Sequence, residues 1–141
     1  MRSPGTATAG TPLSTALLAL LFALAGVMHF VTPRAFERIV PPLLPHAPLL
    51  VAVSGAAELL GASGLMLAWA RRAAGWWLIA LLIAVFPANV QMLRLAIDAG
   101  TPAWYQAALW IRLPLQPALV WWVWRAAVRP PTSASGPTRR V

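Results

Sequence analysis

Glu58 stands in an otherwise apolar run, ten residues past Pro48, and a carboxyl group in that setting needs a chemical reason. If the run is a helix crossing a membrane, a rise of about 1.5 Å per residue puts Glu58 roughly 15 Å below one end, near the bilayer midplane. A carboxylate held there costs about 2.5–3.5 kcal/mol on insertion scales, so the group must be neutral, paired or wet. Arg112 lies eight residues past Trp104 in another apolar run, with its backbone about 12 Å from the same membrane face. Equal depth predicts a buried Glu58–Arg112 pair, with Gln116 one turn further along the Arg112 face. Pro87, Pro114 and Pro117 lack amide hydrogens and so free the carbonyls of Ile83, Trp110 and Leu113. Asn89, Gln91, Arg112 and Gln116 are the donors expected to meet them. His29, near the outer end of the first apolar run, joins the same half of the membrane.

His29, Glu58, Asn89, Arg112 and Gln116 therefore form a candidate polar cluster in the outer leaflet, and three roles are open to it. The groups can satisfy one another and lock the helices, or they can line a ligand pocket, since ionisable residues at this depth are functional candidates. Proton or ion conduction is the third, although a lone Glu with a strong Arg partner makes a poor relay. No catalytic set is evident. Two histidines, His29 and His46, and three carboxylates offer little for a metal site, and none is expected. The absence of cysteine excludes disulfides, iron–sulfur clusters and thiolate haem ligation within this chain.

The elements that must position this cluster are four apolar stretches, Leu13–Val31, Pro48–Trp69, Ala73–Leu93 and Trp104–Trp124, of 19 to 22 residues. As helices they reach roughly 28–33 Å, which matches a hydrocarbon core of about 30 Å. Hydrophobic residues make up 60% of the chain and charged residues 10%, whereas a soluble domain carries about 25% charge. The net charge of +8 forms no run suited to nucleic acid. Its eleven basic residues are all Arg and cluster around the ends of the stretches. Arg2, Arg71, Arg72, Arg125, Arg129, Arg139 and Arg140 fall on one side of a four-span topology. Arg34, Arg38 and Arg94 fall on the other, partly offset by Glu37 and Asp98. That asymmetry predicts both termini in the cytoplasm, and the tryptophans near the ends of the spans suit an aromatic belt. A cleavable leader is the competing reading of the first run, because Ala23-Leu24-Ala25 resembles a cleavage site. Apolar character continues to Val31, which favours a retained span.

These features predict an all-α membrane protein, a four-transmembrane-helix bundle over residues 13–128 in contact with the lipid bilayer. Residues 1–12 and 129–141, rich in Pro, Ser, Thr, Gly and Ala, read as disordered tails. Between the first two spans, Thr32-Pro33 reads as an N-cap and first helical position of a short interfacial helix. Phe36, Ile39 and Val40 share one of its faces, and Pro41-Pro42 ends it. In the second span Ser54, Ala57, Gly61 and Gly64 form a small-residue face for close helix approach, with Glu58 on it.

Several motifs add a family resemblance. Ala25-Gly26-Val27-Met28-His29-Phe30, Pro33, Phe36 and Pro41-Pro42-Leu43-Leu44-Pro45 come first. Ser54-Gly55, Glu58 and Gly61 follow, then the run from Leu78 to Val90 and Trp110 with Arg112-Leu113-Pro114-Leu115-Gln116. In this order they resemble the DoxX-like family of small bacterial four-helix membrane proteins, over roughly Leu13–Arg125. The resemblance implies a multi-pass protein of the bacterial cytoplasmic (inner) membrane. The family's fingerprint falls on His29, Glu58, Asn89, Arg112 and Gln116. Its name comes from a subunit linked to quinol or thiosulfate oxidation, which makes quinone a candidate cofactor and a redox protein a candidate membrane partner. The leading expectation is an accessory or small-ligand-binding bundle without catalysis of its own. A quinone-interacting oxidoreductase subunit and a small carrier or channel with proline-broken helices are the alternatives.

Overall fold

A computed structural model describes residues 13–129. Of the two predicted tails, residues 1–12 and 129–141, all but Arg129 lie outside the described residues. The elements are α1 (Leu13–Val31), α2 (Pro33–Glu37), α3 (Ala47–Met66), α4 (Arg71–Asp98) and α5 (Ala103–Val123), followed by a π-helical turn, Trp124–Val128. No strand occurs among the described residues. In apolar stretches this long the backbone can satisfy its amides only internally, so helix is the outcome. Three of the helices, α1, α3 and α4, are long and apolar enough to cross a membrane. At 21 residues α5 has the same reach of about 31 Å, but Gln106, Arg112 and Gln116 dilute its apolar character.

The helix ends depart from the hydropathy boundaries for reasons visible in their hydrogen bonds. α3 stops at Met66 rather than Trp69, which lies in the following turn and is 86% exposed. The Arg71 side chain donates through Nε to the Leu65 carbonyl at 3.1 Å, one of the acceptors a helix end leaves open. α4 begins at Arg71 rather than Ala73 and runs to Asp98 rather than Leu93, about 42 Å in all. It ends in a left-handed Gly100 (φ 60°), with Gly100 N–H donating to Ile97 at 3.0 Å and Thr101 N–H to Ala96 at 3.1 Å. This is a Schellman stop, and it is set by glycine and not by the loss of hydropathy after Leu93.

The short helix between the first two long ones is present, with proline in its first turn, but it ends at Glu37. Ile39 and Val40 lie in the turn that follows, so they share no helical face with Phe36, and Pro41-Pro42 does not end the helix. Thr32 differs from its predicted capping role. Its hydroxyl makes no bond to α2 and donates backwards to the Met28 carbonyl at 3.0 Å, closing α1 instead. Thr32 stands at the N-cap position of α2 as predicted, but its side chain serves the helix behind it, because only one residue separates the two.

Glycines decide how closely the helices meet. A Cβ on Gly55 of α3 meets His29 Cβ of α1 at 2.7 Å, and one on Gly26 meets the Gly55 carbonyl at 2.9 Å. The predicted small-residue face divides its tasks. Gly61 and Gly64 admit Leu78 and Ala74 of α4, and the Ala57 carbonyl accepts a hydrogen bond from Trp77 Nε1 at 3.0 Å. Gly75 of α4 in turn admits Ala127 and Val128 of the π-helical turn. The core therefore sits at one end of the bundle, where Leu18, Leu65, Leu78 and Val123 are fully enclosed. The Thr15 hydroxyl reaches the Ala126 carbonyl there at 3.5 Å. α5 and its π-helical turn thus retrace α4 and bring the chain back beside the start of α1.

Candidate polar cavity

Towards the other end the long helices enclose a cavity of about 400 Å³. α1 supplies Phe22, Ala25 and His29, α3 supplies Val51, Ser54 and Glu58, and α4 supplies Val85 and Asn89. α5 supplies Arg112, Leu115 and Gln116. The α2 segment also lines this space, with Phe36, Ile39 and Val40, the residues predicted to share a face, together with Pro41 and Leu44. All five predicted site residues line this one space. Their pairings differ from those expected.

Glu58 is 9% exposed and its partner is His29, whose Nδ1 lies 3.3 Å from Oε2. The same Nδ1 is 2.9 Å from the Ala25 carbonyl, one helical turn back. A carbonyl can only accept, so Nδ1 carries the hydrogen and gives it to Ala25. The contact with Glu58 is therefore electrostatic, and buried Oε2 is left without a hydrogen-bond partner. Oε1 takes part in no hydrogen bond among the described residues and is not fully buried as Oε2 is, and Glu58 is a lining residue of the cavity. Phe36 stacks on the far face of the imidazole, with ring centroids 3.9 Å apart and planes 22° from parallel. His29 is thus fixed by a backbone acceptor, an aromatic ring and the Gly26–Gly55 approach.

Arg112 forms no pair with Glu58, contrary to the depth argument. Arg112 lines the cavity but is exposed, with no carboxylate within 4.0 Å of its guanidinium, and no other partner for it occurs among the described residues. Depth fixes one coordinate of a side chain, whereas pairing also needs the angle around the bundle. Glu58 turns towards α1, and Arg112 comes from α5 across the space.

Asn89 and Gln116 face each other as a hydrogen-bonded pair. Asn89 Nδ2 donates to Gln116 Oε1 at 2.6 Å, and Gln116 Nε2 donates to the Leu82 carbonyl. Gln116 is buried, and its amide accepts one hydrogen bond and donates another. It joins α5 to α4 just ahead of Pro87, where the ladder is already interrupted. The carbonyls expected to be met there were Ile83, Trp110 and Leu113. No side-chain donor reaches these among the described residues, and the neighbour Leu82 is chosen instead. Gln91 lies outside the cavity lining.

His46 is not part of the site. It precedes α3 in a left-handed conformation (φ 57°) and does not line the cavity. No three His, Cys, Asp or Glu side chains gather as a metal centre needs, among the described residues. The sequence reading missed the His29–Glu58 contact and the Phe36 stack. A signal was available in Gly26-x-x-His29 and Gly55-x-x-Glu58, which put a glycine one turn before each partner.

Three helices long and apolar enough to cross a membrane, together with the glycine-mediated packing, indicate a multi-pass helical membrane protein with a cavity between its helices. Residues 18–127 match the family described as "Domain of unknown function (DUF8561)", and the chain belongs to that family. No curated protein and no solved structure matches it.

Proposed function

We propose that this is a DoxX-like protein of the bacterial cytoplasmic membrane whose four long helices all cross the bilayer, with both termini in the cytoplasm. Its role is that of an accessory or ligand-binding bundle, holding a small molecule in the outer-leaflet cavity around Glu58 and Arg112. One observation carries the reading: Glu58 and Arg112 line the same space without meeting, and neither side chain takes part in a hydrogen bond among the described residues. Polar groups that served only the fold would satisfy one another, as Asn89 and Gln116 do. The volume of about 400 Å³ lies in the range of roughly 300–1,000 Å³ common to small-molecule sites. Its mixture of apolar walls and a few directed polar groups also suits such a site.

A quinone-interacting subunit is the second reading, favoured by the stacked His29–Phe36 pair beside a carboxyl group. In that case the redox centre belongs to a partner protein, and this chain supplies hydrogen bonds to the quinone head. Either reading is tested by organic extraction of the purified protein followed by mass spectrometry. A stoichiometric small molecule is expected in the wild type and is lost in Ser54→Phe, which fills the cavity. If wild type and Ser54→Phe give the same extract, the binding role is wrong.

A further inference from the structure

We infer that the cavity takes a single-chain membrane lipid with an uncharged, hydroxylated head, received sideways from the bilayer between α1 and α5. The inference rests on the ligand-binding reading above and specifies its ligand class. The route follows from the packing. α1 lies tightly against α3, α3 against α4, and α4 against α5, so three sides of the bundle are closed. On the fourth side α1 meets the C-terminal stretch through the π-helical turn, at the core end. Further along, Leu21 of α1 and Leu115 of α5 line the cavity while remaining 44% and 58% exposed. Their surfaces are apolar, so the opening faces hydrocarbon rather than water. A ligand using it arrives from lipid and leaves its chain there, because the cavity volume suits a head group and the first part of one chain.

The open polar atoms choose the head. Glu58 offers Oε1, an acceptor, and its neighbour Nδ1–H of His29 is already given to Ala25. Arg112 offers donors only. A complementary head therefore both donates and accepts, with a hydroxyl towards Glu58 and a carbonyl or ether oxygen towards Arg112. No contact within 4.0 Å joins Glu58 to Arg112, so neither blocks the other from a bound head. A fatty acid suits Arg112 but sets a second carboxylate near Glu58. An alkylamine suits Glu58 but adds a cation near Arg112. An alkyl ester accepts from Arg112 and gives Glu58 nothing.

Four oleoyl probes separate these cases: 1-monoolein, methyl oleate, oleic acid and oleylamine, each titrated into protein-loaded nanodiscs and read by native mass spectrometry. Monoolein is expected to bind best, about tenfold tighter than methyl oleate, which reflects a hydrogen bond to a charged group. Glu58→Met removes that preference, and Glu58→Gln weakens it. The comparison among probes stands on the wild type even if a variant misfolds. Tightest binding of oleic acid or oleylamine, or equal binding of all four, overturns the assigned ligand class and leaves the cavity reading intact. If no probe binds and Ser54→Phe extracts match the wild type, the cavity reading falls as well.

Discussion

Glu58 defines the chemistry of this molecule because its carboxyl is enclosed but incompletely answered. The nearest cationic group in reach is His29, yet the shared Nδ1 hydrogen belongs to Ala25, so the imidazole stabilises Oε2 by field and contact rather than by a hydrogen bond. Removing one member of a buried pair strands the other, a loss of about 3–5 kcal/mol in soluble proteins. His29→Leu is therefore expected to lower the unfolding free energy in detergent by roughly 2 kcal/mol or more, and Glu58→Gln to recover much of that loss in the double variant. Arg112→Gln is expected to change stability by no more than about 0.5 kcal/mol, since no protein partner is lost. A thermodynamic cycle from denaturant titrations checks all three. Equal cost of His29→Leu with and without Glu58 means the two side chains are not coupled. The sequence alone named five residues that line one cavity, but it coupled the wrong two. Hydropathy and residue count reveal depth, and depth drew Glu58 to Arg112. The rotation of α3 about its axis, which turns Glu58 towards α1, depends on which glycines face which helix.

At the scale of elements, close approach is what brings the pair together. Gly55 lets α1 come within contact of α3, and its absent Cβ is replaced by His29 Cβ and the Gly26 carbonyl. Neither neighbour is the free end of a flexible chain, so the helices must separate if a methyl group is added. Gly55→Ala is expected to cost about 1–3 kcal/mol, the usual penalty for overpacking, and to disturb the His29–Glu58 contact. Ala56→Leu, one residue on and exposed, leaves both unchanged. Unfolding measurements on the two variants make the comparison, and equal behaviour contradicts the packing account. The apolar runs made the three membrane-long helices legible, because runs of this length have one low-energy conformation in lipid. Their ends were less legible. Hydropathy tracks the membrane boundary, whereas α4 stops five residues later at a glycine-dependent turn and α3 three residues earlier at an arginine-bound carbonyl. Thr32 shows the same limit on a smaller scale, since one hydroxyl adjacent to two helices can serve either.

For the whole molecule, the arrangement is a bundle closed at one end and open at the other. Tight packing around Leu18, Leu65, Leu78 and Val123, together with the π-helical turn against Gly75, holds the helices as a unit. The opposite half is then free to keep a cavity in which apolar walls meet a carboxyl, an imidazole and a guanidinium. Such an arrangement tolerates a carboxyl inside a membrane because Glu58 is buried among the helices, whereas Arg112 on α5 remains exposed. The most direct test is a density map of the protein in lipid nanodiscs. The expected map has Glu58 beside His29 and elongated non-protein density between α1 and α5, ending near Glu58 and Arg112. A map with α1 and α5 closed on each other, or with Glu58 swung across onto Arg112 and no density between the helices, contradicts the account.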